Sequence, residues 1–168
     1  FAGYYDAIDF TKAIATRSKF YGDYVVPWET DGLTYRLFRN HLLEGVSDPD
    51  QRLLLHRHFV GQEEMTKTEV DSLSMDGQAV YKLLQGVPYE QVDDLMARLS
   101  PQTIQFLRQI SPSTNIKNLK ARVLIMHDRA DKLVPSEESR RFADAVSDNT
   151  DTYFTEFSFF QRQIQVHE

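Results

Sequence analysis

The sequence predicts an α/β fold in which a long helical region precedes a βαβ unit, and the parallel sheet of that unit is incomplete in this chain. Three observations carry the prediction. First, Val123-Leu124-Ile125-Met126 is an unbroken apolar run, the pattern of a strand buried on both faces as in a parallel sheet. Second, polar residues and Pro135 interrupt that run over 127–135, after which Ser136 is read as the cap of a helix over 136–146. Glu137 and Glu138 fall in its first turn, where carboxylates oppose the helix dipole, and Phe142, Ala143 and Val146 form its apolar stripe. A second strand over 152–160 completes the unit. Third, residues 33–110 keep a helical period with no strand among them. Open α/β sheets place catalytic groups in loops at the carboxyl ends of strands, so 127–135 is where chemistry is expected.

Taken in order, the chain opens with a short aromatic stretch over 1–6, in which Gly3 permits a bend, read as the tail of a strand or a loop leaving one. Residues 7–15 predict a first helix. The stretch 16–30 reads as a loop rich in rings, with Phe20, Tyr21, Tyr24 and Trp28 among Gly22, Asp23 and Pro27, and the rings are expected to pack it onto the core. Leu33, Leu37, Phe38, Leu42 and Val46 then mark a helix that Ser47-Asp48-Pro49 stops, starting the next, which carries Leu53, Leu54, Phe59 and Val60. The pattern over 63–74 is weaker. A helix over 76–84 ends at Gly86, Pro88 opens another, and Ser100-Pro101 starts one that runs to Ile110. Composition shifts at Ser111-Pro112-Ser113. The expected organisation is therefore 1–15 as the end of a core strand and first helix, 16–110 as a helical cap or lid, and 111–168 as the βαβ part of the core.

Length and composition bound the function. At 168 residues, with 41% hydrophobic and 12% aromatic residues, the chain reads as one soluble globular domain. A net charge of −6 with no basic stripe argues against a nucleic-acid partner. The absence of cysteine excludes disulfides, thiolate metal sites and a cysteine nucleophile. No apolar stretch reaches the roughly 20 residues needed to span a bilayer, and residues 1–24 lack signal-peptide character. A cytoplasmic location is the expectation. The chain starts at Phe1 rather than Met, which suggests processing, trimming or excision from something longer.

A parallel sheet of two or three strands is a poor fold. The expectation is that its other strands lie in a missing N-terminal segment, or that a second copy covers the sheet as a homodimer.

The stretch Val123-Leu-Ile-Met-His-Asp-Arg-Ala-Asp-Lys-Leu-Val-Pro135 resembles the sixth strand and acid loop of the α/β-hydrolase family, an apolar run followed by H-G-x-x-D-x-x-V-P. Ser111-Pro112 with Ile116, Leu119 and Lys120 resembles the approach to that strand, and 136–146 resembles the helix after it. The resemblance is strong over 111–146 and weak over the helical region, which it casts as a cap. It implies the C-terminal portion of such an enzyme only, because the G-x-S-x-G nucleophile elbow occurs nowhere in the chain.

On that resemblance Asp131 is the triad acid, which would orient an imidazole and stabilise the imidazolium formed during acyl transfer. By chain order His167, the one histidine after Asp131, is the candidate base, although no small-residue turn precedes it. Asp128 replaces the motif's glycine and is a poorer candidate, while His127 reads as structural. His56 and His58 point to different sides of a helix and His41 stands alone, so no metal site is expected. Pairs such as Glu63-Glu64, Asp93-Asp94 and Glu137-Glu138 read as solvated faces or first-turn acids.

The implied function is part of a serine hydrolase of esterase, lipase or peptidase type, acting on a small-molecule ester or amide without cofactor and inactive without its nucleophile. Two rivals stand beside it. One is a non-catalytic binding or interaction module on a hydrolase-derived scaffold. The other is a relative with an aspartate nucleophile acting on haloalkanes.

Overall fold

The computed structural model describes residues 3–147 and 151–158. These form a mixed α/β structure, mostly helical, with one antiparallel pair of strands and one parallel pair. Helix α1 (Ala7–Thr16) starts where Asp6 accepts hydrogen bonds from the amides of Ile8 and Asp9. It ends at Arg17, whose left-handed backbone (φ 50°) turns the chain into a hairpin, β1 (Ser18–Tyr21) and β2 (Tyr24–Pro27).

That hairpin corrects the expected loop over 16–30. Tyr21 pairs with Tyr24 across Gly22-Asp23, with Gly22 at φ 56°, so a two-residue turn sits between aromatic and β-branched residues. The signal was a Gly-Asp step flanked by such runs. The rings divide: Phe20 and Trp28 are buried, while Tyr24 is exposed.

Six helices follow: α2 (Gly32–Glu44), α3 (Pro49–Phe59), α4 (Lys67–Asp71), α5 (Met75–Gln85), α6 (Tyr89–Met96) and α7 (Pro101–Ile110). Their ends follow the punctuation in the sequence. Asp48 caps α3 with Pro49 in its first turn, Gly86 closes α5 at φ 94°, and Ser100 accepts from the Thr103 amide ahead of Pro101 in α7. Leu42, Leu43, Leu55, Val80, Leu83 and Val92 are fully buried, and one continuous apolar core draws on α1, α2, α3, α5, α6 and α7.

Beyond two short 3₁₀ turns, β3 (Val123–Asp128) pairs in parallel with β4 (Thr152–Phe157), and helix α8 (Ser136–Val146) lies between them in the chain, packed on both. Three expectations need correction here. The apolar run at β3 is not buried on both faces. Ile125 and His127 are buried, but Leu124 is 59% and Met126 45% exposed, because among the described residues α8 covers one side of the strand. Ser136 does not cap α8; Pro135 holds that position, no side chain closes the end, and Ser136 is the first helical residue. Finally, Glu137 and Glu138 are first-turn acids but not solvated, since Ser136, Glu137, Glu138 and Ser139 are all buried. Of the expected second strand over 152–160, Phe159 and Phe160 lie outside the described residues.

Polar contacts join α8 to the helical region. One Glu138 carboxylate oxygen accepts the amides of Tyr5 and Asp6, each at 2.9 Å, and the other meets the Arg141 guanidinium at 2.5 Å. Arg141 also donates to the Phe20 carbonyl in β1, stacks over the Phe20 ring at 4.5 Å and faces Asp9 of α1 at 3.5 Å. Lys19 reaches Glu137 at 3.3 Å. On the far side Arg140 binds both oxygens of Glu156, at 2.6 and 2.8 Å, and Arg129 adds a third contact at 3.1 Å.

Candidate functional site

The loop leaving the carboxyl end of β3 gathers His127, Asp128 and Asp131. Asp128 closes the first turn, accepting the Ala130 amide at 2.9 Å, which is the work expected of a turn residue. Asp131 repeats the device: its Oδ1 accepts the amides of Leu133 at 2.7 Å and Val134 at 3.3 Å. Its Oδ2 stands 3.2 Å from His127 Nε2. The Asp131 side chain remains 17% exposed, so Oδ2 keeps room for another donor.

Burial alone would raise the Asp131 pKa. The His127 ring and the two backbone amides outweigh it, and the carboxyl is held below the ordinary carboxylate value. Asp131 is thus an anion at neutral pH, fixed by its own loop.

His127 is fully buried, and its environment defines its tautomer. Nε2 lies 3.0 Å from the Val134 carbonyl, which can only accept, so the ring proton belongs there. Nδ1, 2.6 Å from Ser139 Oγ, then accepts from that hydroxyl. Both nitrogens meet partners within the fold, and the Ser139 hydroxyl on Nδ1 is itself shut from solvent, so no external nucleophile reaches the ring. It is a brace that ties β3 to the loop and to α8.

A second set of contacts reaches the loop from the helical region. Trp28 Nε1 donates to the Asp131 carbonyl at 2.9 Å, while Thr30 Oγ1 and the Asp31 amide both donate to the Lys132 carbonyl, each at 2.9 Å. Sequence reasoning missed this clamp. A buried indole needs an acceptor for its one N–H, and that was the available signal in a chain with a single Trp.

The site residues named from the sequence are therefore only partly brought together. Asp131, Asp128 and His127 share one loop, whereas His167 lies outside the described residues. His56 pairs with Glu44 at 3.2 Å and His58 with the Glu63 carbonyl at 2.8 Å, each on the surface. No group of His, Asp and Glu among the described residues could hold a metal ion, and no helix among them is long and apolar enough to cross a membrane.

Immediately beyond Asp131, Leu133 and Val134 border an open apolar cleft formed with α1, α2 and α7. A larger cavity, about 640 Å³, lies away from the acid loop, against Tyr5, the 3₁₀ turns and the start of β3. The smaller cleft begins at Leu133, two residues beyond Asp131 in the chain. No family model, curated protein or solved structure gave a significant match to this chain.

Proposed function

We propose that this chain is the acid-bearing C-terminal part of a serine α/β-hydrolase. In this reading α2 to α7 act as the cap, and the strands that complete the sheet and the serine nucleophile lie outside the 168 residues. The observation that carries it is Asp131: an anionic side chain on the loop after a parallel strand, locked by two backbone amides through Oδ1, with Oδ2 available to a further donor. A triad acid needs these properties, because it must hold a basic imidazole in one tautomer and stay ionised while that imidazole is protonated. His127 already occupies part of Oδ2, and its bond to the Val134 carbonyl fixes it in a bracing role. Because His127 and the Ser139 hydroxyl on its other nitrogen are both fully buried, the base is assigned to another histidine, and His167 is the candidate within this sequence. The exposed apolar residues of the β3–β4 sheet, Leu124, Met126 and Tyr153, fit a parallel sheet whose second face is covered in the whole protein.

The reading is tested by treating the protein, isolated from its source, with a fluorophosphonate that labels activated serines, and mapping the labelled peptide. Label on a serine outside these 168 residues is the expected result. Label on one of the chain's own serines would misplace the nucleophile, and no label at all would favour the non-catalytic binding module.

A further inference from the structure

The acid loop over 128–134 has no apolar anchor of its own. None of its side chains is buried, and Leu133, its largest apolar residue, is 50% exposed. Its two ends are tied within the β3–α8–β4 segment: the Arg129 amide donates to the Phe157 carbonyl at 2.8 Å, and the Val134 carbonyl accepts from His127 Nε2 at 3.0 Å. Its middle is held differently. Among the described residues, every hydrogen bond that the Asp131 and Lys132 carbonyls accept comes from residues 28–31, outside that segment.

Residues 28–31 are themselves firmly fixed. Trp28 is 8% exposed within the apolar core, and its amide donates to the Arg17 carbonyl at 2.9 Å, so the indole is held before it reaches the Asp131 carbonyl. Asp31 works in two directions: its amide serves the Lys132 carbonyl, while its side chain caps α2 by accepting the Thr34 amide at 2.6 Å. The chain leaving the hairpin thus meets two successive carbonyls of the acid loop before it turns into α2. Because each peptide unit is planar, holding the carbonyls of residues 131 and 132 also orients the Cα of Asp131, and with it the direction of the carboxylate.

We propose that residues 28–31 are a strap through which the helical region positions the Asp131 carboxylate, with Trp28 and Thr30 as its positioning residues. Neither side chain bonds to the carboxylate; each acts on the backbone that carries it. The turns that Asp128 and Asp131 close upon themselves shape the loop but do not fix where it stands relative to the rest of the protein. That placement matters, since a displacement of about 1 Å at a catalytic group can slow a reaction about a hundredfold. The catalytic consequence rests on the hydrolase reading, whereas the ordering of the loop does not, and the two are measured separately.

Two replacements remove a donor while keeping its shape: Thr30→Val, and benzothienylalanine in place of Trp28, which carries sulfur where indole has N–H. Each is made in the whole protein. Hydrogen exchange across 129–134 is expected to quicken about tenfold in both, with exchange in α5 unaltered. Hydrolysis of a nitrophenyl ester should show kcat lowered about tenfold with KM within about twofold. Added to Asp131→Asn, Thr30→Val should lower kcat no further, because it acts only through that carboxylate. Unaltered exchange in both variants would overturn the strap. So would an equal fall in kcat with and without the Asp131 carboxylate, which would mark Thr30 as a general structural residue. A fully active Asp131→Asn protein would overturn the hydrolase reading instead, a separate result, since exchange alone decides whether the strap orders the loop.

Discussion

The interior of residues 7–107 and the interior of the β3–α8–β4 segment are built from different materials. In the first, the buried apolar positions, mostly Leu, Val and Ala with Ile14, Phe20, Trp28, Phe38 and Met96, join in one cluster, and polar side chains mostly cap helix ends. In the second, Ile125 and Val146 are buried outside that cluster, and their fully buried neighbours are His127, Ser136, Glu137, Glu138 and Ser139. The first region is held by removal of apolar surface from water, a force with little dependence on pH. The second is fastened by hydrogen bonds and ion pairs of buried and half-buried carboxyl groups, whose contribution changes with protonation. The segment that carries Asp131 is therefore attached by contacts that pH can adjust.

The comparison predicts its largest single effect in the helical region. Leu83→Ala, at a fully buried α5 position, should lower the unfolding free energy by about 2–5 kcal/mol at any pH between 5 and 8, measured by urea denaturation. A loss that varied strongly with pH across that range would break the contrast between the two interiors.

Next comes Glu138. Desolvation is the largest influence on it and raises its pKa to about 7, despite opposing contributions from Arg141 and the amides of Asp6 and Tyr5. A carboxyl raised from 4.5 to about 7 binds its proton more tightly in the folded than in the unfolded chain. Its contribution is therefore fully present below pH 4.5 and lost as pH rises to about 7, a decline on the order of 3 kcal/mol. Glu138→Gln should remove that slope, leaving stability nearly flat from pH 5 to 7.5 in thermal melts. An unchanged slope in the variant would assign the pH dependence elsewhere.

Asp131 has the opposite sign. Its folded pKa is depressed, so its contribution is present above the unfolded value of 3.8 and is lost as pH falls through the lower folded one. Asp131→Asn should cost about 1–2 kcal/mol at pH 7 and should converge on the wild type in acid, read from denaturation at the two pH values. The smallest effect belongs to Tyr21→Phe, which removes an exposed hydrogen bond from β1 to Asp144 of α8. A change of no more than about 0.5–1 kcal/mol is expected, with faster amide exchange in the hairpin as its signature.

The two regions were also unequally legible in the sequence. The helices of residues 33–110 could be read because Pro49, Gly86, Ser100 and Pro101 state their ends chemically and the leucines keep a helical period. Asp131 was singled out through a resemblance to the acid loop of α/β-hydrolases, and the structure holds it in the loop after β3, where its Oδ1 accepts two backbone amides. What could not be read depends on tertiary contacts. Glu137 and Glu138 look like solvated first-turn acids, since nothing local announces that Lys19, Arg141 and two distant amides will receive them. The run at β3 looks buried on both faces because its composition is that of such a strand, while the described residues cover only one. The hairpin at 18–27 was legible in its Gly-Asp turn, but the surrounding aromatic residues fit a packed loop equally well.

The central functional claim is that Asp131 serves catalysis rather than merely shaping its loop. The most direct test is steady-state hydrolysis of a medium-chain nitrophenyl ester by the protein isolated from its source and by its Asp131→Asn variant. The account predicts that kcat falls by about 10³ to 10⁴ with KM little changed and the circular dichroism spectrum preserved, because asparagine keeps the loop's acceptor oxygen but cannot balance an imidazolium. A variant that hydrolyses the ester at the unaltered rate would contradict it.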